Sequence, residues 1–278
     1  MYFSGMKIIR FLSGGAVHSG RLNPDGSASP YRSAIDGNLS GLRNWPLPVF
    51  ADVNLPVEKL LAPLIPADIL CIGLNYRAHA AEGGFASPPV PMLFIKAGSS
   101  LNHPGDAIPI PALSREIDYE GELAVIIGKT AKDVSRARAL EYVFGYACAN
   151  DVTARDWQRD KQLGGGQFAR GKSFDGFCPL GPWIVTADEI PYPNALRLRT
   201  FVNDRVMQDQ STGDMIFDVP ALIESLSSTM TLRPGTVILT GTPEGVGFAR
   251  KPPVWLQPGD NVRVEIEGVG VLENPVSD

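Results

Sequence analysis

The segment REIDYEGELAVIIG, residues 115–128, places acidic side chains at the start of an apolar strand. Asp118, Glu120 and Glu122 alternate along the chain, so a β-strand would direct all three to one face. Residues 123–127 are apolar on both faces, which predicts that the strand is buried. Ionised carboxylates repel one another and lose hydration when they leave water. A chain that buries this strand therefore needs something to compensate the clustered charge.

A second apolar strand, YVFGYACAND at residues 142–151, also ends in a carboxylate, that of Asp151. The commoner interpretation of such acids is a solvated face on an edge strand. The alternative is a site for a hard cation, because Mg²⁺ takes oxygen ligands and keeps positions open for water or substrate oxygens. Three histidines without a Cys/His cluster make zinc a poor candidate. A carboxylate site with open positions would suit an anionic, chelating substrate such as a 2-keto acid.

Composition predicts a globular α+β protein that is mainly β. The 278 residues are 44% hydrophobic, and 24 prolines and 29 glycines separate short β-branched runs. A net charge of −5 offers no basic surface for nucleic acid or an anionic membrane, and no stretch has the apolar length of a membrane span. Cys71, Cys148 and Cys178 show neither paired nor metal-type spacing. We therefore expect reduced thiols and a cytoplasmic protein without nucleic-acid or membrane partners.

The chain divides at about residue 66. Residues 1–66 are predicted to form a small N-terminal β-rich domain, with a meander at 6–31 and a linker at 43–66, and residues 67–278 a larger catalytic domain. Strands are predicted at 92–96, 119–127, 142–149, 182–186, 197–202, 236–240 and 261–266. Helices are predicted at 76–82, 135–141, 152–161 and 218–229, the last with an Asp cap followed by proline.

The segment LNYRAHAAEGG, residues 74–84, places His79 and Glu82 three residues apart on one helical face. A carboxylate on one imidazole nitrogen fixes the tautomer and leaves the other nitrogen free to take a proton from water. A surface ion pair on a short helix is the alternative. Gly83 and Gly84 could serve as the hinge of a lid or as a helix stop.

The segment GQFARGKS, residues 166–173, satisfies the phosphate-binding pattern G-x-x-x-x-G-K-[ST] in full, so a nucleotide-binding protein is the rival hypothesis. A P-loop follows a buried strand and opens a helix. Here the preceding segment is polar, and the following one contains two prolines. We therefore interpret the match as chance. Arg170 and Lys172 could still bind a substrate carboxylate or an enolate oxygen, or they could be solvated loop cations.

Six blocks, in order, resemble the fumarylacetoacetate hydrolase family: GLNYRAHAAE, DYEGELAVIIG, GYACANDVTARDWQ, RGKSFDGFCPLGPWIVT, MIFDVPALI and LTGTPEGVG. The resemblance runs from about residue 69 to the C-terminus. It implies a compact twisted β-roll of the family's C-terminal type, with the small N-terminal unit attached. It also implies a homodimer that binds Mg²⁺ or Mn²⁺.

The same resemblance assigns roles to individual residues. It implies Glu120, Glu122 and Asp151 as metal ligands, with Asp118 a neighbour. The water-activating pair falls on His79 and Glu82, carried by a lid, and Lys172 matches a lysine close to the metal. Substrate-contacting positions fall on three further residues, Arg155, Gln158 and Thr242.

The resemblance implies a hydrolase that cleaves a C–C bond of a β-diketo acid, of acylpyruvate or diketo-deoxy sugar acid type. His79 would activate the water, and an enolate would form at the metal. The same site could instead decarboxylate oxaloacetate or tautomerise a keto acid, and the intact His-x-x-Glu favours hydrolysis. His103, where glycine is usual, and the Gly-rich segment QLGGGQF leave the substrate open.

Overall fold

The computed structural model describes residues 6–32, 49–163 and 165–278. Within these ranges the strands, in chain order, are β1 Lys7–Ser13, β2 Ala16–Leu22, β3 Ala28–Pro30, β4 Lys59–Leu61, β5 Ile69–Gly73, β6 Met92–Ile95, β7 Leu101–Asn102, β8 Ile108–Pro109, β9 Ile117–Asp118, β10 Gly121–Ile127, β11 Val143–Asn150, β12 Thr153–Ala154, β13 Cys178–Thr186, β14 Arg197–Val202, β15 Arg205–Ser211, β16 Val237–Leu239, β17 Asn261–Ile266 and β18 Gly270–Ser277. The α-helices are α1 Arg77–Glu82, α2 Arg155–Arg159, α3 Phe168–Lys172 and α4 Val219–Thr229. The fold is α+β and mainly β, as predicted.

Strand β10 lies at the centre of an eleven-stranded sheet with the order β3-β2-β1-β13-β11-β10-β16-β5-β6; β4 pairs with β1, and β7 with β13. All seven residues of β10 are buried. Its odd-numbered side chains, among them Leu123 and Val125, enter one hydrophobic cluster, and Ala124 and Ile126 enter another. The prediction that this strand is buried on both faces is confirmed.

A second sheet of five strands, with the order β15-β14-β17-β18-β8, covers one face of the large sheet. Leu198 of β14 and Val264 of β17 share a hydrophobic cluster with Val125 of β10 and with Leu222 of α4. Helix α4 begins as predicted, because Asp218 accepts a hydrogen bond from the amide of Ala221 at 2.9 Å and a proline follows.

The acidic segment is not one continuous strand. Asp118 ends β9 and Gly121 begins β10, so the strand predicted at 119–127 starts two residues late. The strand is interrupted because its two parts pair with different strands: β9 pairs with β12 through Asp118 and Thr153, whereas β10 pairs with β11. The same short strand β12 shortens the helix predicted at 152–161 to α2. The helix predicted at 135–141 is a 3₁₀ helix at Arg136–Tyr142.

The N-terminal strands extend the large sheet, since Lys7 and Ile8 of β1 pair with Val185 and Ile184 of β13. The division at residue 66 stays a prediction, and residues 33–48, which include the start of the predicted linker, lie outside the described residues. All three cysteines are free and buried. Among the described helices, none combines the length and the apolar character that a membrane span requires.

Candidate active site

Three buried carboxylates, those of Glu120, Glu122 and Asp151, meet where the start of β10 lies beside the end of β11. Their ligand oxygens all lie within 4.8 Å of one another. The antiparallel register produces this meeting, because Gly121 pairs with Asn150 and the amide of Asp151 donates to the carbonyl of Glu120 at 2.8 Å. The structure thus brings together the three residues that the sequence analysis nominated as metal ligands.

Two cations neutralise Glu120. The Nζ of Lys172 lies 2.6 Å from Glu120 Oε2 and 2.6 Å from Asp151 Oδ2, and the guanidinium of Arg155 binds the other oxygen of Glu120. Burial pushes the pKa of Glu120 upward, but Lys172 and Arg155 outweigh burial and bring that pKa to about 2. Burial lowers the pKa of Lys172, and the carboxylates of Asp151 and Glu120 reverse this and raise it. Glu120 and Lys172 are therefore both charged at neutral pH.

Glu122 differs from its neighbours because no cationic side chain of the described residues pairs with it. Its Oε2 accepts one hydrogen bond, from the amide of Gly241 at 2.7 Å. Burial, followed by the charges of Asp151 and Glu120, raises the pKa of Glu122 well above its ordinary value. A buried carboxylate that lacks a counter-charge, in an all-oxygen donor set, fits a hard divalent cation. The donor set is therefore suited to Mg²⁺ or Mn²⁺.

The turn after β16 supplies the amide that Glu122 uses. Gly241 has φ of +96°, and a Cβ there would lie 2.7 Å from the Cβ of Asn75. A side chain is therefore excluded on two grounds, backbone conformation and space. Next in the chain, the Thr242 hydroxyl donates to the carbonyl of Gly121 at 3.0 Å and accepts from Gln208 Nε2 at 2.7 Å. These bonds fix the turn against the start of β10.

Two further residues, Lys96 and Asp118, support the cluster through contacts that the sequence did not predict. Lys96, fully buried, donates to Asp151 Oδ1 at 2.7 Å and to the carbonyl of Val152 at 3.2 Å. Asp118 accepts from Arg155 Nε at 2.8 Å and from the amide of Gly247 at 2.7 Å. The signal for Lys96 was present in the sequence, since it is a charged residue directly after the apolar strand β6, just as Asp151 follows β11.

Helix α1 presents His79 to the site and holds it there. Nδ1 of His79 lies 3.3 Å from Glu82 Oε2, and the amide of Gly245 donates to Glu82 Oε1 at 3.0 Å. Burial raises the pKa of Glu82, but the bonds from His79 and Gly245 outweigh it and lower the pKa. At the other end of the helix, Arg77 Nη1 donates to the carbonyl of Met215 at 2.8 Å. With Nδ1 engaged, Nε2 is the nitrogen left for chemistry.

Several of these groups line one cavity of about 240 Å³. Its polar lining comprises His79, Glu120, Glu122, Arg155, Gln158, Arg159, Lys172 and Thr242. Its apolar wall comprises Ile72, Leu74, Phe85, Met92, Phe94, Phe168 and Phe248. Of the nine predicted site residues, seven line this cavity, and the remaining two, Glu82 and Asp151, contact residues that do. Gln158 is oriented by Arg155, whose Nη1 donates to its side-chain oxygen at 3.0 Å.

The match to the P-loop pattern lacks the geometry of a phosphate site. No strand directly precedes it among the described residues: the 3₁₀ helix Lys161–Leu163 does, and helix α3 has five residues and ends at Lys172. The Nζ of Lys172 binds the buried carboxylates of Glu120 and Asp151. Arg170 lies outside the cavity lining, with its guanidinium 4.7 Å from the ring centre of Trp157. The interpretation of the motif as chance agrees with this arrangement.

Comparison with known proteins finds relatives over most of the chain. The model of the fumarylacetoacetate (FAA) hydrolase C-terminal domain matches residues 68–277. An oxaloacetate tautomerase of Xenopus laevis is 49% identical over 219 residues, 78% of this chain and 68% of that protein. The solved structure of a fumarylacetoacetate hydrolase from Exiguobacterium antarcticum superposes with a TM-score of 0.82 at 41% identity, over 98% of this chain and 99% of that one.

A 2-hydroxyhepta-2,4-diene-1,7-dioate isomerase from Mycobacterium marinum superposes with a TM-score of 0.81 at 37% identity, over 98% of both chains. The similarity to these two structures extends over the N-terminal strands as well as the segment that the domain model matches.

Proposed function

This chain belongs to the fumarylacetoacetate hydrolase family, and on that basis we propose that it is a divalent-cation-dependent enzyme that interconverts the keto and enol forms of a 2-oxo acid. One observation carries the proposal: His79, which Glu82 holds, and Lys172 line the same cavity as Glu120 and Glu122, two of the three clustered carboxylates. A base, an ammonium group and a chelating centre are the three parts that enolisation requires.

Glu120, Glu122 and Asp151 would hold the cation, which would supply Lewis-acid polarisation of the 2-oxo group when bound. The remaining chemistry belongs to the chain. His79, with Nδ1 held by Glu82, takes a proton from the carbon next to the keto group through Nε2. The C–H bond breaks and a carbon–carbon double bond forms; the keto oxygen takes a proton from solvent, and His79 releases the proton it has taken to solvent. Lys172 stabilises the negative charge that develops on that oxygen.

C–C bond hydrolysis, the first choice of the sequence analysis, is the second candidate. The His79–Glu82 pair also favours it, because the same Nε2 could take a proton from water instead of from carbon. The hydroxide would add to the distal carbonyl of an acylpyruvate, the C–C bond would break, and the enolate of pyruvate would leave. Decarboxylation of oxaloacetate needs no activated water and would leave His79 without a role.

One set of assays separates these activities. The Mg²⁺-loaded protein would be assayed with oxaloacetate and with acetylpyruvate in deuterated buffer. Each assay would be repeated after treatment of the protein with chelator. Rapid deuterium exchange at C3 of oxaloacetate, without release of pyruvate and abolished by chelator, is the expected result. Pyruvate from acetylpyruvate would favour the hydrolase, and pyruvate from oxaloacetate would favour the decarboxylase. Absence of all three reactions would overturn the proposal.

Three further features belong to the proposal. The cation is either Mg²⁺ or Mn²⁺, because an oxygen-only donor set accommodates both. The homodimer and the cytoplasmic location expected from the sequence stay predictions, which sedimentation and cell fractionation would test.

A further inference from the structure

We infer that Arg159 binds the second, distal carboxylate of the substrate and so selects 2-oxo dicarboxylic acids over 2-oxo monocarboxylic acids. The inference rests on the proposed function, because it assumes that the 2-oxo acid end of the substrate lies at Glu120, Glu122 and Asp151. It adds a specificity-determining residue in the lining of the same cavity.

Arg155 and Arg159 lie at positions i and i+4 of α2, so they share one face of the helix, and both line the cavity. Their surroundings differ. The guanidinium of Arg155 donates to three acceptors, on Asp118, Gln158 and Glu120. Most of the hydrogen-bonding capacity of the Arg155 guanidinium is therefore used within the protein itself.

The side chain of Arg159 has no hydrogen bond or ion pair within the described part of the chain. Its guanidinium carbon lies 3.8 Å from the ring centre of Phe248, which also lines the cavity. Burial, followed by the charge of Arg155, lowers its pKa, and Glu116 opposes this more weakly. The stacked ring fixes the plane of the guanidinium while its N–H groups keep their hydrogen-bonding capacity. An oriented guanidinium without a carboxylate partner is suited to a carboxylate of the substrate.

The spacing suits a short diacid. Both arginines approach the same ring, since the guanidinium carbon of Arg155 lies 5.8 Å from the centre of Phe248. One turn of helix rises about 5.4 Å, and three carbon–carbon bonds span about 4 Å. A four-carbon chain held at the carboxylate cluster, beside Arg155, can therefore direct its far carboxylate one turn along α2 to Arg159.

The test measures binding as well as turnover. L-malate and 2-hydroxybutyrate each have four carbons and a 2-hydroxy acid end, and they differ only in the distal carboxylate. Calorimetric titration of the Mg²⁺-loaded protein with each ligand would compare the wild type with Arg159→Met. The substitution keeps the aliphatic contact with Phe248 and removes the charge. Arg170→Met is the matched control, since Arg170 also stacks on an aromatic ring but lies outside the cavity.

We expect Arg159→Met to weaken L-malate binding at least tenfold and to leave 2-hydroxybutyrate binding within twofold, with Arg170→Met unchanged for both. A wild-type protein that binds L-malate no better than 2-hydroxybutyrate would overturn the inference, as would an Arg159→Met variant that weakens both ligands equally. If the binding pattern is as expected but oxaloacetate is not enolised, the proposed function fails and the assignment of Arg159 stands.

Discussion

Lys96 and Lys172 hold opposite oxygens of one carboxylate: Lys96 contacts Oδ1 of Asp151 at 2.7 Å, and Lys172 contacts Oδ2 at 2.6 Å. Lys172 faces the cavity, whereas Lys96 binds Asp151 from the side of the carbonyl of Val152. The two lysines therefore differ in what they can do. Lys172 can reach a substrate, and Lys96 can only orient the carboxylate.

Replacing Lys96 by methionine should weaken cation binding without touching the cavity. Asp151 would lose the bond that fixes its orientation and would keep only Lys172 as a cationic partner. Removal of one partner from a buried ion pair costs up to about 3–5 kcal/mol of unfolding free energy. We expect Mn²⁺ affinity, measured by calorimetry on the folded variant, to fall at least tenfold. Lys161→Met, at an exposed lysine, is the control. Unchanged affinity in Lys96→Met would show that Lys96 only stabilises the fold.

Glu122→Gln and Glu120→Gln should change the stability of the cation-free protein in opposite directions. The folded pKa of Glu122 is raised above its unfolded value of about 4.3, so its ionisation opposes folding above that pH. The folded pKa of Glu120 is lowered, so its ionisation supports folding. At pH 7, urea denaturation with chelator should therefore show Glu122→Gln at least as stable as the wild type and Glu120→Gln less stable. Equal losses in both variants would contradict these pKa directions.

Replacing His79 by alanine should lower the rate of enolisation by about two to four decades, the usual contribution of a general base. Cation affinity should stay within twofold, because His79 lies on α1 and contacts Glu82 rather than the carboxylate cluster. Stopped-flow rates and Mn²⁺ titration would be measured on the same preparation. A parallel loss of cation binding would mean that the variant disturbs the site as a whole.

The three thiols should be unreactive in the native protein. Burial raises the pKa of Cys71, Cys148 and Cys178, in the last case to about 12. At pH 8 each therefore stays protonated and should not react with a thiol reagent until denaturant is added.

The same shifts predict a loss of stability in alkali. Above the unfolded pKa of about 8.5, thiols ionise only in the unfolded chain. The unfolding free energy should then fall by about 1.4 kcal/mol per pH unit for each buried thiol. Denaturation at pH 8 and pH 10 would measure this, with Cys178→Ala showing a smaller decrease than the wild type.

The sequence could predict the strands and the residues of the carboxylate cluster because both depend on local patterns. An apolar run with acids at one end can be recognised in each strand separately. Glu122 then meets Asp151 when the two strands pair. The break between Asp118 and Gly121 was not predictable, because it depends on pairing between β9 and β12. Arg159 was missed for a related reason: its role depends on what lies opposite it, and the chain order does not show that.

Helix α1 is held in position by contacts with residues that lie much later in the chain. The amide of Ala78 binds Asp214 over a separation of 136 residues, and Glu82 binds the amide of Gly245 over 163 residues. On the ribosome, α1 emerges long before either partner, and contacts of such long range close slowly. Helix α1 is therefore held by both partners only after residue 245 has emerged, so His79 is fixed in the cavity only once the turn after β16 has been synthesised.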